Sequence, residues 1–257
     1  MHFRRIEFVK KAEFDREKIE SLLWEFAFSL ECSGQILRDY KIIKKESYNL
    51  YVTLPHEDSF DEIHDNDYVK SHREELLKYF NMRIFGEGIN LESKPYCKCK
   101  NRSAIEMQTF SLDIDSVFSC CDCGMPIALY ELPFPAENQN TYDWVESWQT
   151  NFSSMDKLWW NCLCDRYTGN QRVKPDSALN KQGIEIAIYM SKELKIPVYY
   201  HLASDYGKSV KIESVDNTTV HVCPICQKKM IPVTVSENFK IDVCNECNLS
   251  YDQPSDY

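Results

Sequence analysis

The chain has 257 residues, 43% hydrophobic and 27% charged, a globular balance that excludes a disordered or fibrous polypeptide and allows one large domain or two to three small ones. Its 30 basic and 40 acidic side chains leave a formal charge of −10, which disfavours approach to phosphate backbones and anionic membranes. The opening "MHFRRIEFVKKAEFDREK" carries charges throughout and no apolar signal core, and no uncharged apolar run approaches ~18 residues, so a cytoplasmic protein without a transmembrane helix is expected.

In chain order, "HFRRIEFVK" reads as a strand with Ile6 and Phe8 on one face. Asp15 can cap a helix whose stripe is Ile19, Leu22, Leu23, Phe26 and Leu30, with Gly34 ending it. "ILRDYKIIK" and "SYNLYVTLP" read as strands, the second with Tyr48, Leu50, Val52 and Leu54 alternating with polar residues. Asn66 or Asp67 starts another helix, with Val69, Leu76, Leu77 and Phe80 inside, and "RIFGEGINL" returns to strand. The order β-α-β-β-α-β over residues 1–92 predicts a ferredoxin-like α+β domain. His56, His64 and His72 fall in a carboxylate-rich stretch, read as a solvated acidic loop leading into a helix.

Residues 93–135 lose the helical stripes, and cysteine pairs bracket a β-like stretch, "AIEMQTFSLDIDSVF". Residues 136–214 read as mainly helical, with Trp144, Trp148, Phe152, Met155 and Trp159 at helical intervals. A second helix there is capped by Asp176 and carries Leu179, Ile184, Ala187, Met190 and Leu194 inward, before "VYYHL" as a strand. Polar "SALNKQG" is read as the start of that helix rather than as a ligand contact. Residues 215–257 return to β pattern.

Twelve cysteines in a reducing compartment need an explanation other than disulfides, and nine lie in tight groups. Cys223 and Cys226 are followed after seventeen residues by Cys244 and Cys247. Each Cys-x-x-Cys turn presents two sulfurs on one side, and a short β excursion, "MIPVTVSENFKIDV", brings the turns together as a four-thiolate zinc ribbon. A redox pair would need no second pair at that distance. His221 is expected to flank this site. An earlier, zinc-ribbon-like cluster uses Cys97, Cys99, Cys120 and Cys123, with Gly124 free to take the positive φ of the turn. Its first pair is Cys-x-Cys, and Cys121 is a spare thiol there. One Zn2+ is expected, with room for two. Cys162 and Cys164 read as buried beside aromatics on a helix, and Cys32 as core. No Gly-rich phosphate loop, His-Glu-x-x-His or Gly-x-Ser-x-Gly motif occurs, so a non-catalytic protein is expected.

The stretches "MDKLWWN" (155–161), "DSALNKQGIEIA" (176–187), "IPVYYHLASDYGK" (196–208), "CPIC" and "NFKIDVCNECNLSYD" (238–252) resemble a bacterial family of unknown function, described as zinc-ribbon-containing with a suggested nucleic-acid-binding role. The resemblance covers most of residues 95–257 and implies Cys223, Cys226, Cys244 and Cys247 as metal ligands, with an earlier cluster between 97 and 123.

Charge speaks against nucleic acid. Residues 1–92 hold 14 basic and 19 acidic side chains, 93–135 hold 4 and 5, 136–214 hold 9 and 10, and 215–257 hold 3 and 6. Each four-thiolate zinc adds −2, moving the total towards roughly −14 when both clusters are filled. Duplex binding draws on several phosphate contacts from Lys or Arg, and the local set Lys94, Lys98, Lys100 and Arg102 is small. The expected function is stoichiometric binding of a basic protein, with a toxin-neutralising immunity role as its sharper form and nucleic-acid binding as the alternative.

Overall fold

The computed structural model describes residues 1–89, 95–110, 115–133, 142–203, 212–215, 218–236 and 239–252. The architecture is mixed α+β, in two compact units, Met1–Tyr96 with Ala128–Asp143 and Cys97–Ile127 with Trp144–Tyr257.

The first unit runs β1 (His2–Lys10), α1 (Arg16–Cys32), β2 (Lys41–Lys44), β3 (Tyr48–Leu54), α2 (Asp67–Tyr79) and β4 (Phe80–Ile89). Its four strands are ordered β2-β3-β1-β4, every neighbour antiparallel. Asp15 Oδ1 accepts from the Glu17 and Lys18 amides and Asn66 Oδ1 from the Val69 amide, so each helix starts where a side chain takes up its orphan N–H groups. Ile6 and Phe8 meet the stripe of α1 and Leu50, Val52, Leu76 and Phe80 in one core. Each fully buried side chain of this size contributes about 1.5–3 kcal/mol. Gly34 takes φ +74°, and a Cβ there would lie 2.4 Å from Leu129 Cβ. The strand expected from Ile36 begins only at Lys41, because buried Ile36 and Leu37 belong to the turn after α1, where the Leu37 amide donates to Thr53 O. Phe80, placed inside α2 by periodicity, is instead the first residue of β4.

In the second unit, β5 (Ile105–Met107) and β6 (Phe118–Cys120) form a short hairpin. Then follow α3 (Asp143–Trp160), α4 (Asp165–Val173), α5 (Ala178–Leu194) and β7 (Val198–His201). The chain continues with β8 (Ile212–Val215), β9 (Thr218–His221), β10 (Ile231–Ser236), β11 (Phe239–Cys244) and β12 (Leu249–Asp252). β8 and β9 pair separately, and the remaining strands form one six-stranded sheet ordered β10-β11-β12-β7-β5-β6. β7 pairs in parallel with both β5 and β12, so it joins the β5–β6 and β11–β12 hairpins, each of which, with its adjoining turn, supplies two of the four cysteines of one group.

Three features of the helices bear on what the sequence predicts. The buried face of α3 is Val145, Trp148, Gln149, Phe152 and Asp156, while Trp144, Met155 and Trp159 are half-buried. A buried Asp156–Arg172 ion pair, 3.0 Å, lies beside that face, with the Arg172 guanidinium over the Trp159 ring. Second, α3 stops at Trp160, and Cys162 (φ 53°) and Cys164 (φ 57°) form a left-handed turn into α4. Both thiols are therefore exposed rather than buried in a helix. Third, Ser177, not Asp176, caps α5, its Oγ accepting from the Asn180 amide at 3.1 Å. The polar start of α5 staples the preceding loop: Asn180 Nδ2 donates to Arg172 O and Lys174 O, and Tyr200 Oη donates to Asn180 Oδ1. Cys32 is buried, as expected for core.

Candidate metal centres

The structure brings Cys97, Cys99, Cys120 and Cys123 together as one group and Cys223, Cys226, Cys244 and Cys247 as another, the sulfurs of each within 4.8 Å of one another. A tetrahedral thiolate site with metal–sulfur bonds of about 2.3 Å has sulfur–sulfur edges of about 3.8 Å. Cys226 Sγ and Cys244 Sγ are 3.6 Å apart, and none of the eight is in a disulfide. The donor sets fit a bound cation without rearrangement of the backbone.

Two of the turns that present these sulfurs share one construction. In the Cys120–Cys123 turn the Cys120 amide donates to Met125 O and the Gly124 amide to Cys120 O, while Ser119 and Pro126 form a bridge. In the Cys223–Cys226 turn the Cys223 amide donates to Lys228 O and the Gln227 amide to Cys223 O, with Val222 and Lys229 bridged. The residue after the second cysteine of each Cys-x-x-Cys turn is left-handed: Gly124 at 70°, Gln227 at 61° and Asn248 at 52°. That conformation turns the chain back so that amides face the sulfurs. Glycine pays no steric cost for it, whereas Gln227 and Asn248 hold it against one. The Cys97-x-Cys99 turn is the odd one. It attaches by the Cys97 amide to Pro126 O, and the Cys99 amide donates to Cys97 Sγ at 3.4 Å.

Burial pushes the Cys244 thiol up to about 11 and raises Cys120, Cys123 and Cys247 as well. Each group also contains one depressed thiol. Burial opposes ionisation of Cys97, but hydrogen bonds from Arg102 and the Cys99 amide outweigh it. Cys226 is lowered by the Lys228 amide. Four sulfurs this close cannot ionise together in a low dielectric without a cation, which reverses the balance when bound.

Cys121 does not join its neighbours. Its side chain lies in a cluster with Ala104, Tyr199, Val235, Ile241 and Val243, and burial pushes its thiol up to about 12. His221 flanks the second group: its amide and Nδ1 both meet Asp242 Oδ2, at 2.8 and 2.9 Å, and its ring stacks on Tyr251. Lys98 and Lys100 are exposed on the first turn, Arg102 is turned towards Cys97, and Lys94 lies outside the described residues.

The histidines of the first unit are less solvated than expected. His56 is half-buried against Tyr96 and Tyr130, with Nε2 3.0 Å from Glu131, and His64 lies 4.5 Å from the Tyr130 ring. His72 faces Glu25 instead, so the three do not converge.

One polar cluster has no counterpart in the sequence reading. Glu106 on β5, only 2% exposed, accepts from Ser250 Oγ on β12 at 2.6 Å and lies 3.2 Å from His201 Nδ1 on β7. Burial opposes the His201 charge, but the bond to Glu106 and the charges of Glu106 and Asp252 raise its pKa overall. The cluster ties together the three strands that join the cysteine hairpins. Three residues on three distant strands leave no local motif.

Neither the curated proteins nor the solved structures yield a match to the chain. A family model described as a domain of unknown function (DUF2310) matches residues 99–203, a span that takes in Cys99, Cys120, Cys123 and β7 but neither Cys97 nor the second cysteine group.

Proposed function

We propose that this is a non-catalytic zinc protein of a reducing compartment, the cytoplasm, that acts by stoichiometric binding of a basic protein. The observation that carries the reading is the pair of four-cysteine groups on the two hairpins joined by β7. Four protein thiolates close a tetrahedral site, leaving no open position for substrate, and the all-sulfur set favours Zn2+ as a structural ion. The zinc ribbons stiffen the sheet; they supply no nucleophile. In the first unit, the order β2-β3-β1-β4 with helices after β1 and β3 supports the ferredoxin-like reading.

The purified protein is expected to contain two equivalents of zinc. Elemental analysis returning less than half an equivalent after gentle purification would sink the ribbon reading, and a coloured iron-containing product would replace zinc by iron.

An acidic surface suits fast, steered association with a basic partner, of which a toxin neutralised in a one-to-one complex is the sharpest example. Association should slow markedly as salt rises while dissociation changes little. The exposed Lys98 and Lys100 beside the first cysteine turn favour nucleic acid as the second reading. Gel-shift titration against single- and double-stranded nucleic acid at ~150 mM salt decides between them. No shift is expected. Micromolar binding that disappears when Lys98, Lys100 and Arg102 are changed to Ala would establish the second reading.

A further inference from the structure

Among the described residues of the first unit, β4 is the outermost strand of the sheet, paired with β1 along one side. The pairing is regular from Phe80 to Gly86 and irregular beyond, where the register shifts between Phe3 and Arg4. Beside that regular stretch runs a groove of about 590 Å³, between β4, α2 and the turn from Phe60 to Glu62. Its apolar lining includes Leu77, Met82 and Ile84, of which Ile84 is 53% exposed. Asp61 and Glu62 stand exposed on its rim. Arg73 also lines it, but both Asp65 oxygens neutralise that guanidinium, at 2.6 and 2.8 Å. The groove is therefore apolar in its floor and negative at its edge.

An edge strand offers a row of backbone donors and acceptors to an incoming extended segment, and pockets beside it select alternate side chains. The opposite face of β4 differs in sign. There Arg5 lies over the Phe85 ring, and Arg83 is 3.9 Å from Glu7. A segment laid along β4 would thus meet carboxylates on the groove face, and on the other face Arg5 together with an Arg83 that Glu7 offsets, so cations are favoured at the groove-facing positions.

We propose that an extended segment of the basic partner adds to this sheet as a strand against β4, its alternate Lys or Arg side chains reaching Asp61 and Glu62 across Met82 and Ile84. This rests on the basic-partner reading above and names the surface that serves it.

The test uses the full chain and a fluorescent peptide alternating Lys and Val, with a Glu/Val peptide as its charge-reversed control. By anisotropy the Lys/Val peptide should bind and the Glu/Val peptide should not. The double variant D61K/E62K should weaken binding at least about tenfold, a loss of ~1.4 kcal/mol, with zinc content unchanged. Methylating the alternate peptide amides that face β4 should abolish binding. Undiminished binding by D61K/E62K would overturn the groove while leaving a basic partner in place. Equal binding of both peptides, or of neither, would overturn the groove as well. The basic-partner reading is judged separately, by the nucleic-acid titration.

Discussion

Cys244→Ser is expected to release about one of two zinc equivalents and to lower the thermal midpoint by roughly 6–12 °C, whereas Cys162→Ser should leave both quantities unchanged. Cys244 is the last residue of β11, and its sulfur lies 3.6 Å from that of Cys226. The turn that follows leads directly into β12, which lies between β11 and β7. Asn248 in that turn holds φ 52°, donates from Nδ2 to Val198 O at 2.9 Å and accepts at its carbonyl from the Tyr200 amide at 2.7 Å. Opening the site would therefore loosen the central strand as well as the turn between β11 and β12. Because binding of a structural metal is coupled to local folding, the loss is set at about 3 kcal/mol. Cys162 is exposed in the α3–α4 turn, where substitutions usually change stability by less than about 0.5 kcal/mol. Calorimetry with elemental analysis on the two variants checks this. Equal midpoints would show that Cys244 holds no metal on which the fold depends.

Gly183→Ala should be the most damaging single methyl group in the second unit, and Gly169→Ala the contrasting gain. Gly183 lies in α5, facing β7 and α3. A Cβ there would sit 2.2 Å from Tyr200 Cε2 and 2.8 Å from Trp148 Nε1. Trp148 and Tyr200 are both fully buried and contact each other edge-on, and Tyr200 is further held by its bond to Asn180. Neither ring can swing away without breaking these contacts, so overpacking should cost about 3 kcal/mol. Gly169, inside α4, would place a Cβ 4.0 Å from the Trp159 ring, an ordinary contact. There alanine removes the entropy penalty of a helical glycine, about 0.5–1 kcal/mol. Denaturant titration of both variants should give shifts of opposite sign, and a Gly183→Ala protein as stable as the parent would refute the packing argument.

Much of the local structure was legible because its causes are local. The stripe of α1, its Asp15 cap and the alternation in β3 follow from helix and strand periodicity acting on adjacent residues. The grouping of cysteines was legible for the same reason, since each turn is built within a few residues and each hairpin closes a short loop. The structure departs from these local patterns where a tight turn or a distant side chain decides the outcome. The helix expected to run through Cys162 and Cys164 ends at Trp160, and those two cysteines take left-handed backbone in the turn that follows. Cys121 looked interchangeable with its neighbours, yet a cluster that includes Val235, Ile241 and Val243 draws it away from them.

By itself, then, the sequence determined the two helices of the first unit with their Asp15 and Asn66 caps, the strand alternation and the two sets of four thiols. Only the tertiary structure decided that β7 stands between the two hairpins, and that Glu106, His201 and Ser250 meet beneath the join. Those contacts link positions 95 and 144 residues apart. Parallel pairing at such separations is fixed by burial and by loop closure across the whole unit, for which no run of neighbouring residues carries a signal.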